Sequence, residues 1–400
     1  ILMRRKLAML ILFLLLLWAN GQVLQRRDTT KGPERSFFTL GNLEVSADGR
    51  WSAVRKRYEH QSDTLLLFDR RKPGQVIATL VKLNQQLSFL SSNRLIASGN
   101  GKALWMDLSD LQQKVYDNIR QAGALSDRKY FYLWSKNGDV AVCDNQGKVH
   151  RTIKGLQKLI TDRDKCLYAV RQLNDQSELV RITADKTMSL YATASEITRM
   201  EMMPSGNQIV LTETGLGESA PYITFVNTQS GQVIRHLPEA NKNFDYVKVT
   251  EIRNGKAYLM DYQSRTEPTK DQVVDIWYGN DNNLKAKKYR TEDSHEYFFL
   301  DVGKQAVRTI STDRFPVFAS ANNTDYLLSF DPQKDYNYST RFPLLDIYAY
   351  NLSENSYFEI FERAADIVLS PDGDFLLGLD DRSSQWILFD CKSGNKTIIN

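Results

Sequence analysis

From Leu43 to the end of the chain, hydrophobic positions form short runs or alternate with polar ones. The runs are about 4 to 8 residues long and lie between turns rich in Gly, Asn, Asp and Ser, a pattern typical of β-strands. The last repeat starts with the turn Ser370-Pro371-Asp372-Gly373-Asp374, and its second apolar strand ends in Asp390. This order predicts short antiparallel strands, each paired with its neighbour in sequence.

The same order of turns and strands recurs along the chain. Residues 43–80 repeat the closing unit, with Ala47-Asp48-Gly49 in place of Pro371-Asp372-Gly373. A period of roughly 35 to 45 residues is the length of a four-stranded blade. The sequence therefore predicts an all-β fold, a β-propeller of about 7 to 8 four-stranded antiparallel blades over residues 43–400, and leaves open whether the set is complete. Further repeats begin near Leu87, Ala124, Leu159 and Ile197, and a looser region covers residues 243–361.

One segment is compatible with two local structures. Residues 108–121 fit either a short helix or a loop followed by a strand between two blades.

The N-terminus has the features of an export signal. Arg4, Arg5 and Lys6 precede an apolar run of about a dozen residues, which is short for a membrane span of about 20. We expect a signal peptide at 3–21, an N-terminal extension at 22–42 and a periplasmic or secreted protein, with an uncleaved anchor as the alternative. No other contact with a membrane is expected.

Charge argues against nucleic acid as a partner. The chain has 52 Lys and Arg against 48 Asp and Glu, and removal of the three basic residues of the signal leaves a net charge of +1. Nucleic-acid binding proteins show a strongly basic face. Local basic clusters, such as Arg55-Lys56-Arg57, are expected at solvated edges.

Three cysteines leave two alternatives open. Cys143, Cys166 and Cys391 are too widely spaced for a zinc site. In an oxidising compartment Cys143 and Cys166 could pair, whereas buried free thiols would pack as small apolar residues.

The sequence contains no catalytic, cofactor-binding or metal-binding motif that we can assign, so no site residue is predicted. The segment nearest to a G-x-S-x-G nucleophile turn, 217–221, has Pro221 in place of the second glycine and lies between two strands. Asp281-Asn282-Asn283 lacks the pattern of a calcium loop. The four histidines share no metal-ligand spacing: His60, His150, His236 and His295. Tyr336 and Tyr338 could form a stacking platform for sugars or peptides, although packing is the simpler role.

The second half of the chain resembles a known family. The segment VVDIWYGNDNNLKAKKY, residues 273–289, followed by LLDIYAYNL and by SPDGDFLLGLDDRSSQWILFD, resembles exported serine peptidases of the prolyl oligopeptidase family of Bacteroidetes-type bacteria. The resemblance covers residues 243–400. Tyr278-Gly279 stand where that family usually has a second Trp.

The resemblance implies a noncatalytic propeller that restricts access of peptides to an α/β-hydrolase domain. That domain, with its Ser, Asp and His, would follow Asn400, and the chain would be an N-terminal fragment without catalytic residues. The expected partners are a peptide substrate and this hydrolase domain. The alternative is a free-standing periplasmic propeller, similar to WD-repeat or TolB modules, that binds a protein or peptide. A sugar-cleaving propeller enzyme would need two paired carboxylates, which the sequence alone does not reveal.

Overall fold

The computed structural model describes residues 38–58, 63–83, 85–90, 93–162, 164–215, 221–237, 244–266, 292–321, 325–332, 334, 344–370 and 373–399. All regular elements in these residues are β-strands, which confirms the all-β prediction. No helix among these residues is long and apolar enough to cross a membrane. The strands are β1 Phe38–Val45, β2 Trp51–Tyr58, β3 Thr64–Asp69, β4 Val76–Val81, β5 Gln86–Phe89, β6 Arg94–Gly99, β7 Lys102–Asp107, β8 Gln113–Asp117, β9 Ile119–Ala124, β10 Tyr130–Ser135, β11 Val140–Asp144, β12 Val149–Ile153, β13 Leu156–Thr161, β14 Leu167–Leu173, β15 Gln176–Ile182, β16 Thr187–Thr193, β17 Glu196–Met202, β18 Gln208–Thr214, β19 Tyr222–Asn227, β20 Val233–His236, β21 Tyr246–Ile252, β22 Ala257–Thr266, β23 Glu292–Asp301, β24 Ala306–Ile310, β25 Val317–Ser320, β26 Tyr326–Phe330, β27 Leu345–Asn351, β28 Ser356–Leu369, β29 Phe375–Asp380, β30 Trp386–Asp390 and β31 Lys396–Ile399.

The strands pair strictly in chain order. Six sheets have four strands each, namely β1–β4, β5–β8, β9–β12, β13–β16, β17–β20 and β21–β24, and a seventh sheet contains β25–β31. A succession of four-stranded antiparallel meanders is the blade pattern of a β-propeller. The chain is therefore a β-propeller domain, as the repeat predicted.

The chain divides into two compact units. The first consists of Ile1–Gln172 with Arg181–Met188, and the second of Leu173–Val180 with Ser189–Asn400.

Within each unit, hydrophobic cores lie between successive sheets. In the first unit one core joins Trp51 and Leu67 of the first sheet to Leu95 and Met106 of the second. In the second unit an aromatic core joins Phe225 of β19 to residues of the next sheet. Sheets that pack face to face through side chains of both faces bury the apolar half of each strand. This packing explains the apolar runs seen in the sequence.

The turn between the first two strands of a blade has the geometry that its sequence predicts. Ser46 receives a hydrogen bond from Gly49 N–H at 2.9 Å, and its hydroxyl accepts one from Trp51 N–H at 2.9 Å. The corresponding Ser370 hydroxyl accepts from Phe375 N–H at 2.9 Å. Gly49 has φ 70°, a conformation that glycine adopts at little cost. The hydrogen bonds of Ser46 thus recur at Ser370 in the last predicted repeat.

The residue that ends the third strand of a blade caps the next turn. Asp69 accepts a hydrogen bond from Arg71 N–H at 2.9 Å, and Asp390 accepts one from Lys392 N–H at 2.8 Å. A short carboxylate that binds backbone N–H groups two residues ahead stabilises a turn. These bonds explain why strands such as LLLFD and WILFD end in Asp.

The seventh sheet contains two blades that share one strand. The 14-residue β28 pairs with β27 through its first half and with β29 through its second half. The change occurs at Arg363, which has φ 50° and donates its N–H to Asp346 Oδ1 at 2.9 Å. Here the chain passes from one predicted repeat to the next without a turn segment.

Several local predictions can be compared with the structure. Residues 108–121 form a turn, β8 and the start of β9, so the alternative of a loop followed by a strand is correct and the helix is not formed. β1 begins at Phe38, before the expected start of the first blade at Leu43, because Phe38 pairs with Tyr58.

Arg55 is buried, with only 8% of its surface exposed, and so does not lie at a solvated edge. It belongs to β2, between β1 and β3.

The three cysteines are free thiols. The disulfide between Cys143 and Cys166 is therefore not formed, and the alternative of packed thiols is correct for Cys143 and Cys391, which are both buried. Cys166 is partly exposed and accepts a hydrogen bond from Arg181 at 3.3 Å.

Candidate binding pocket

A polar pocket of about 450 Å³ lies in the first unit. Its lining residues are Gln85, Gln86, Arg120 and Gln121. Gln86 starts β5 and Gln121 lies in β9, so the pocket forms where the first strands of two successive sheets meet. Its volume is within the range of about 300 to 1,000 Å³ that is usual for ligand sites.

Three side chains beside the pocket form a closed hydrogen-bond triangle. Gln121 Nε2 donates to Gln86 Oε1 at 2.9 Å and to the Tyr132 hydroxyl at 2.9 Å. The Tyr132 hydroxyl donates in turn to Gln86 Oε1 at 3.1 Å. We call this group the glutamine triad. Because each member restrains the other two, both amides are held in fixed orientations.

The triad leaves one donor and one acceptor for a ligand. A glutamine side chain can donate two hydrogen bonds through nitrogen and accept two through oxygen. Among the described residues, Gln86 Nε2 and Gln121 Oε1 take part in no hydrogen bond, and neither is a buried orphan atom. A donor and an acceptor that are held in one triad match the C=O and N–H of a single residue in an extended peptide, because these two groups point to the same side of the strand.

Gly123 makes room for this arrangement. It lies in β9 opposite Tyr132, and a Cβ at this position would be 2.9 Å from Gln86 Nε2 and 3.1 Å from the Tyr132 hydroxyl. Glycine in a strand interior often marks a close approach of other groups. Here it allows the Gln86 amide to lie against the backbone of β9.

Charge at the pocket comes from one residue. Arg120 is exposed, and its guanidinium carbon lies 4.5 Å from the ring centre of Trp134. Stacking on an aromatic face restrains an arginine while its N–H groups remain available. No carboxylate lines the pocket within the described residues. The pocket therefore favours neutral or negatively charged polar groups.

Tyr132 is fully buried, and burial raises the pKa of its phenol well above the usual range. The hydroxyl consequently stays protonated at all physiological pH values and keeps its bond to Gln86. The triad contains no group that titrates near neutrality.

None of the described histidines lines the pocket, and no two of them share a site. His150 contacts Asp185 at 3.5 Å, and His236 is partly buried, which lowers its pKa. His295 Nδ1 lies 2.8 Å from Asp261 Oδ1, and Gln263 donates to the other oxygen of that carboxylate at 2.7 Å. Metal-binding groups of three or more His, Cys, Asp or Glu are absent from the described residues.

Several positions discussed from the sequence lie outside the described residues. They are the expected signal peptide 3–21, residues 22–37 of the expected N-terminal extension, His60, segment 217–220 with Ser219, segment 273–289, Asp281-Asn282-Asn283, Tyr336, Tyr338 and Pro371-Asp372.

Sequence reasoning assigned no site residue, and the pocket residues were missed. Gln86 and Gln121 are 35 positions apart and belong to different blades. Polar residues at strand starts are common, so neither position is distinctive by itself. Gly123 was the only local signal, since glycine is disfavoured inside strands.

Comparisons with known proteins give structural likeness only. No protein-family model matches the sequence, and no curated protein sequence matches it. Among solved structures, the chain is similar to Kluyveromyces lactis Hsv2, with 11% identity, a TM-score of 0.39, and coverage of 81% of this chain and 98% of that one. It is similar to the Dos1 propeller, with 10% identity, a TM-score of 0.36 and coverage of 78% and 82%. It is also similar to the tricorn protease, with 12% identity, a TM-score of 0.37 and coverage of 91% of this chain but only 40% of that chain.

Proposed function

We propose that this β-propeller domain binds extended peptide segments at the pocket of the glutamine triad. The observation that supports the proposal is the pair of atoms Gln86 Nε2 and Gln121 Oε1, which have no partner among the described residues, beside a pocket that no described carboxylate lines. The C=O of a residue in an extended peptide can accept from the first atom, and the N–H of the same residue can donate to the second. Arg120 adds a positive charge that favours peptides with a carboxylate near the bound group.

We further propose that the domain is the noncatalytic access domain of an exported serine peptidase of the prolyl oligopeptidase type. The support is the sequence resemblance over residues 243–400 together with the signal-like N-terminus. In this role the propeller would receive short or unfolded peptides and admit them to a hydrolase domain in the same protein. The peptide pocket would supply a weak, sequence-tolerant contact, as main-chain recognition does.

The second candidate is a free-standing periplasmic propeller that binds a peptide or protein partner. The pocket favours it as much as the first candidate, because binding through the triad requires no hydrolase domain. The coding sequence beyond Asn400 separates the two. A G-x-S-x-G segment followed by Asp and His supports the access domain, and a stop codon directly after Asn400 supports the free-standing propeller.

Peptide binding itself is tested with the chain as it stands. A fluorescein-labelled tetra-alanine with a free carboxylate is titrated with the protein and followed by fluorescence anisotropy. We expect Gln121→Ala to weaken binding about tenfold or more, because it removes the free acceptor and releases Gln86. Gln113→Ala, an exposed glutamine of β8, is the matched control and should leave the affinity unchanged.

The outcome that contradicts the proposal is equal affinity of the wild type and Gln121→Ala, or no saturable binding by a wild-type chain with a native circular dichroism spectrum. The amidated peptide tests Arg120 separately. The wild type should bind the amidated peptide more weakly than the free acid. Arg120→Ala should bind the two peptides with equal affinity.

A further inference from the structure

Three aromatic rings in the second unit surround one guanidinium group. The guanidinium carbon of Arg314 lies 5.2 Å from the ring centre of Phe315, 5.4 Å from that of Tyr348 and 4.9 Å from that of Tyr357. We call these three rings the aromatic cage. Arg314 and Phe315 belong to the connection between β24 and β25, whereas the two tyrosines lie on β27 and β28.

The cage is built independently of Arg314. The ring centres of Phe315 and Tyr348 are 4.7 Å apart, and those of Phe315 and Tyr357 are 5.3 Å apart. Tyr357 also contacts Tyr350, the residue directly opposite it on β27, at 4.9 Å between ring centres. Phe315 is buried, so the base of the cage is part of the packed interior. The cage would therefore keep its shape with a smaller side chain at position 314.

Two carboxylates lie close to the rings of the cage. Glu359 accepts a hydrogen bond from the Tyr348 hydroxyl at 3.2 Å, and Asp313 precedes Arg314 in the chain. Among the described residues neither carboxylate has an ion-pair partner, whereas Asp346 nearby is paired with Lys334 at 2.7 Å. Aromatic faces flanked by carboxylates attract cations and disfavour anions.

No polar contact among the described residues holds Arg314 over the rings of the cage. It is exposed, and within the part of the chain that the structure describes its guanidinium has neither a hydrogen-bond nor an ion-pair partner. Its side chain can leave the cage without breaking a polar contact. Its guanidinium shows directly which kind of group the cage accommodates.

We propose that the aromatic cage is a binding site for the guanidinium of an arginine side chain from another polypeptide, and that Arg314 occupies this site as an internal competitor. An incoming arginine replaces Arg314 over the same rings. The proposal concerns the second unit alone and does not depend on the peptide pocket of the first unit. The exchange gives the site low affinity in the wild type, since a tethered competitor acts at an effective concentration of about millimolar or higher.

The test measures binding of N-acetyl-L-arginine amide to the full chain by ligand-observed NMR, with N-acetyl-L-citrulline amide as the uncharged probe of the same shape. We expect Arg314→Ala to bind the arginine probe about tenfold more tightly than the wild type, because the internal competitor is removed. The citrulline probe should bind neither protein. Arg382→Ala, which removes an exposed arginine paired with Glu362, is the matched control and should resemble the wild type.

Two double variants locate the site. Tyr357→Leu combined with Arg314→Ala should abolish the gain, and Glu359→Gln combined with Arg314→Ala should reduce it. The proposal is overturned if a natively folded Arg314→Ala gains no affinity, if citrulline binds as well as arginine, or if the gain survives Tyr357→Leu. Native folding of each variant is checked by its circular dichroism spectrum and thermal unfolding.

Discussion

Two glycines inside strands, one in each compact unit, make room for aromatic neighbours in different ways. Gly123 of β9 lies against Tyr132 and the Gln86 amide, whereas Gly378 of β29 lies against the ring of Phe361. Neither has a positive φ, so both are required for space and not for backbone conformation. The first glycine leaves room for a polar group at a pocket, and the second for a ring in the core.

The two sites differ in whether the side chain next to the glycine can move. A Cβ at Gly378 would be 2.9 Å from three atoms of the Phe361 ring, and that ring is buried in the core of the last sheet. A Cβ at Gly123 would be equally close to Gln86 Nε2 and 3.1 Å from the ring and hydroxyl of Tyr132, but Gln86 Nε2 is the end of a partly exposed side chain that can move away once its hydrogen bonds break. A core responds to added volume with strain, while a pocket responds by rearranging. We therefore expect the same substitution to affect stability in one unit and binding in the other.

The largest effect is expected for Gly378→Ala. Displacing the Phe361 ring should lower the free energy of unfolding by about 2 kcal/mol, since overpacking costs about 1 to 3 kcal/mol and alanine returns a part of that in a strand. Urea unfolding followed by tryptophan fluorescence measures the change. Gly303→Ala is the control, because its Cβ would meet nothing closer than 3.5 Å. Equal stability of the two variants would mean that the core accommodates the methyl group.

The second prediction concerns a property that the two regions share. A buried cysteine lies in or directly beside the sheet of each glycine, namely Cys143 in β11 and Cys391 directly after β30, and burial raises the pKa of both thiols to about 11. A raised pKa in the folded state stabilises the protein below the unfolded pKa of about 9, and this contribution is lost as the pH rises through about 11. The free energy of unfolding should therefore fall between about pH 9 and about pH 11, and the two thiols should contribute about equally to this fall.

Substitution isolates the part of this loss that each thiol causes. Between about pH 8 and about pH 10.5, the free energy of unfolding of Cys143→Ala should fall by about 2 kcal/mol less than that of the wild type. Cys391→Ala should behave in the same way. Urea titrations at the two pH values provide the measurement, and the constant packing loss of each variant cancels in the difference. A fall as steep as in the wild type would show that the thiols titrate at their ordinary pKa.

The fold was predictable because its signals are local. The turns at Ser46 and Ser370 and the strands β18 and β19 follow from short runs of residues, and the structure confirms them. The shared strand β28 was not predictable, since its change of partner occurs at Arg363, a residue type that gives no turn signal. The pocket could not be predicted either. It depends on the contact of Gln86 with Gln121 across two sheets, and no local pattern encodes that contact.

The smallest change in stability is expected for Gly123→Ala, which tests the other side of the comparison. The methyl group should push the Gln86 amide away from Gln121 Nε2 and the Tyr132 hydroxyl, while the Tyr132 hydroxyl keeps its bond to Gln121. We expect the free energy of unfolding to change by less than about 1 kcal/mol, because the lost hydrogen bonds are partly offset by the better strand propensity of alanine.

Peptide binding should nevertheless weaken about tenfold in Gly123→Ala, because the fixed donor at Gln86 is lost. Anisotropy titration of the labelled tetra-alanine peptide measures this loss, and Gly378→Ala, studied at a temperature where it is fully folded, serves as the control with unchanged affinity. If both glycine variants lose stability and neither loses affinity, then Gly123 serves the packing of Tyr132 alone. In that case the room it leaves for Gln86 has no part in binding, and the distinction between a pocket glycine and a core glycine is wrong.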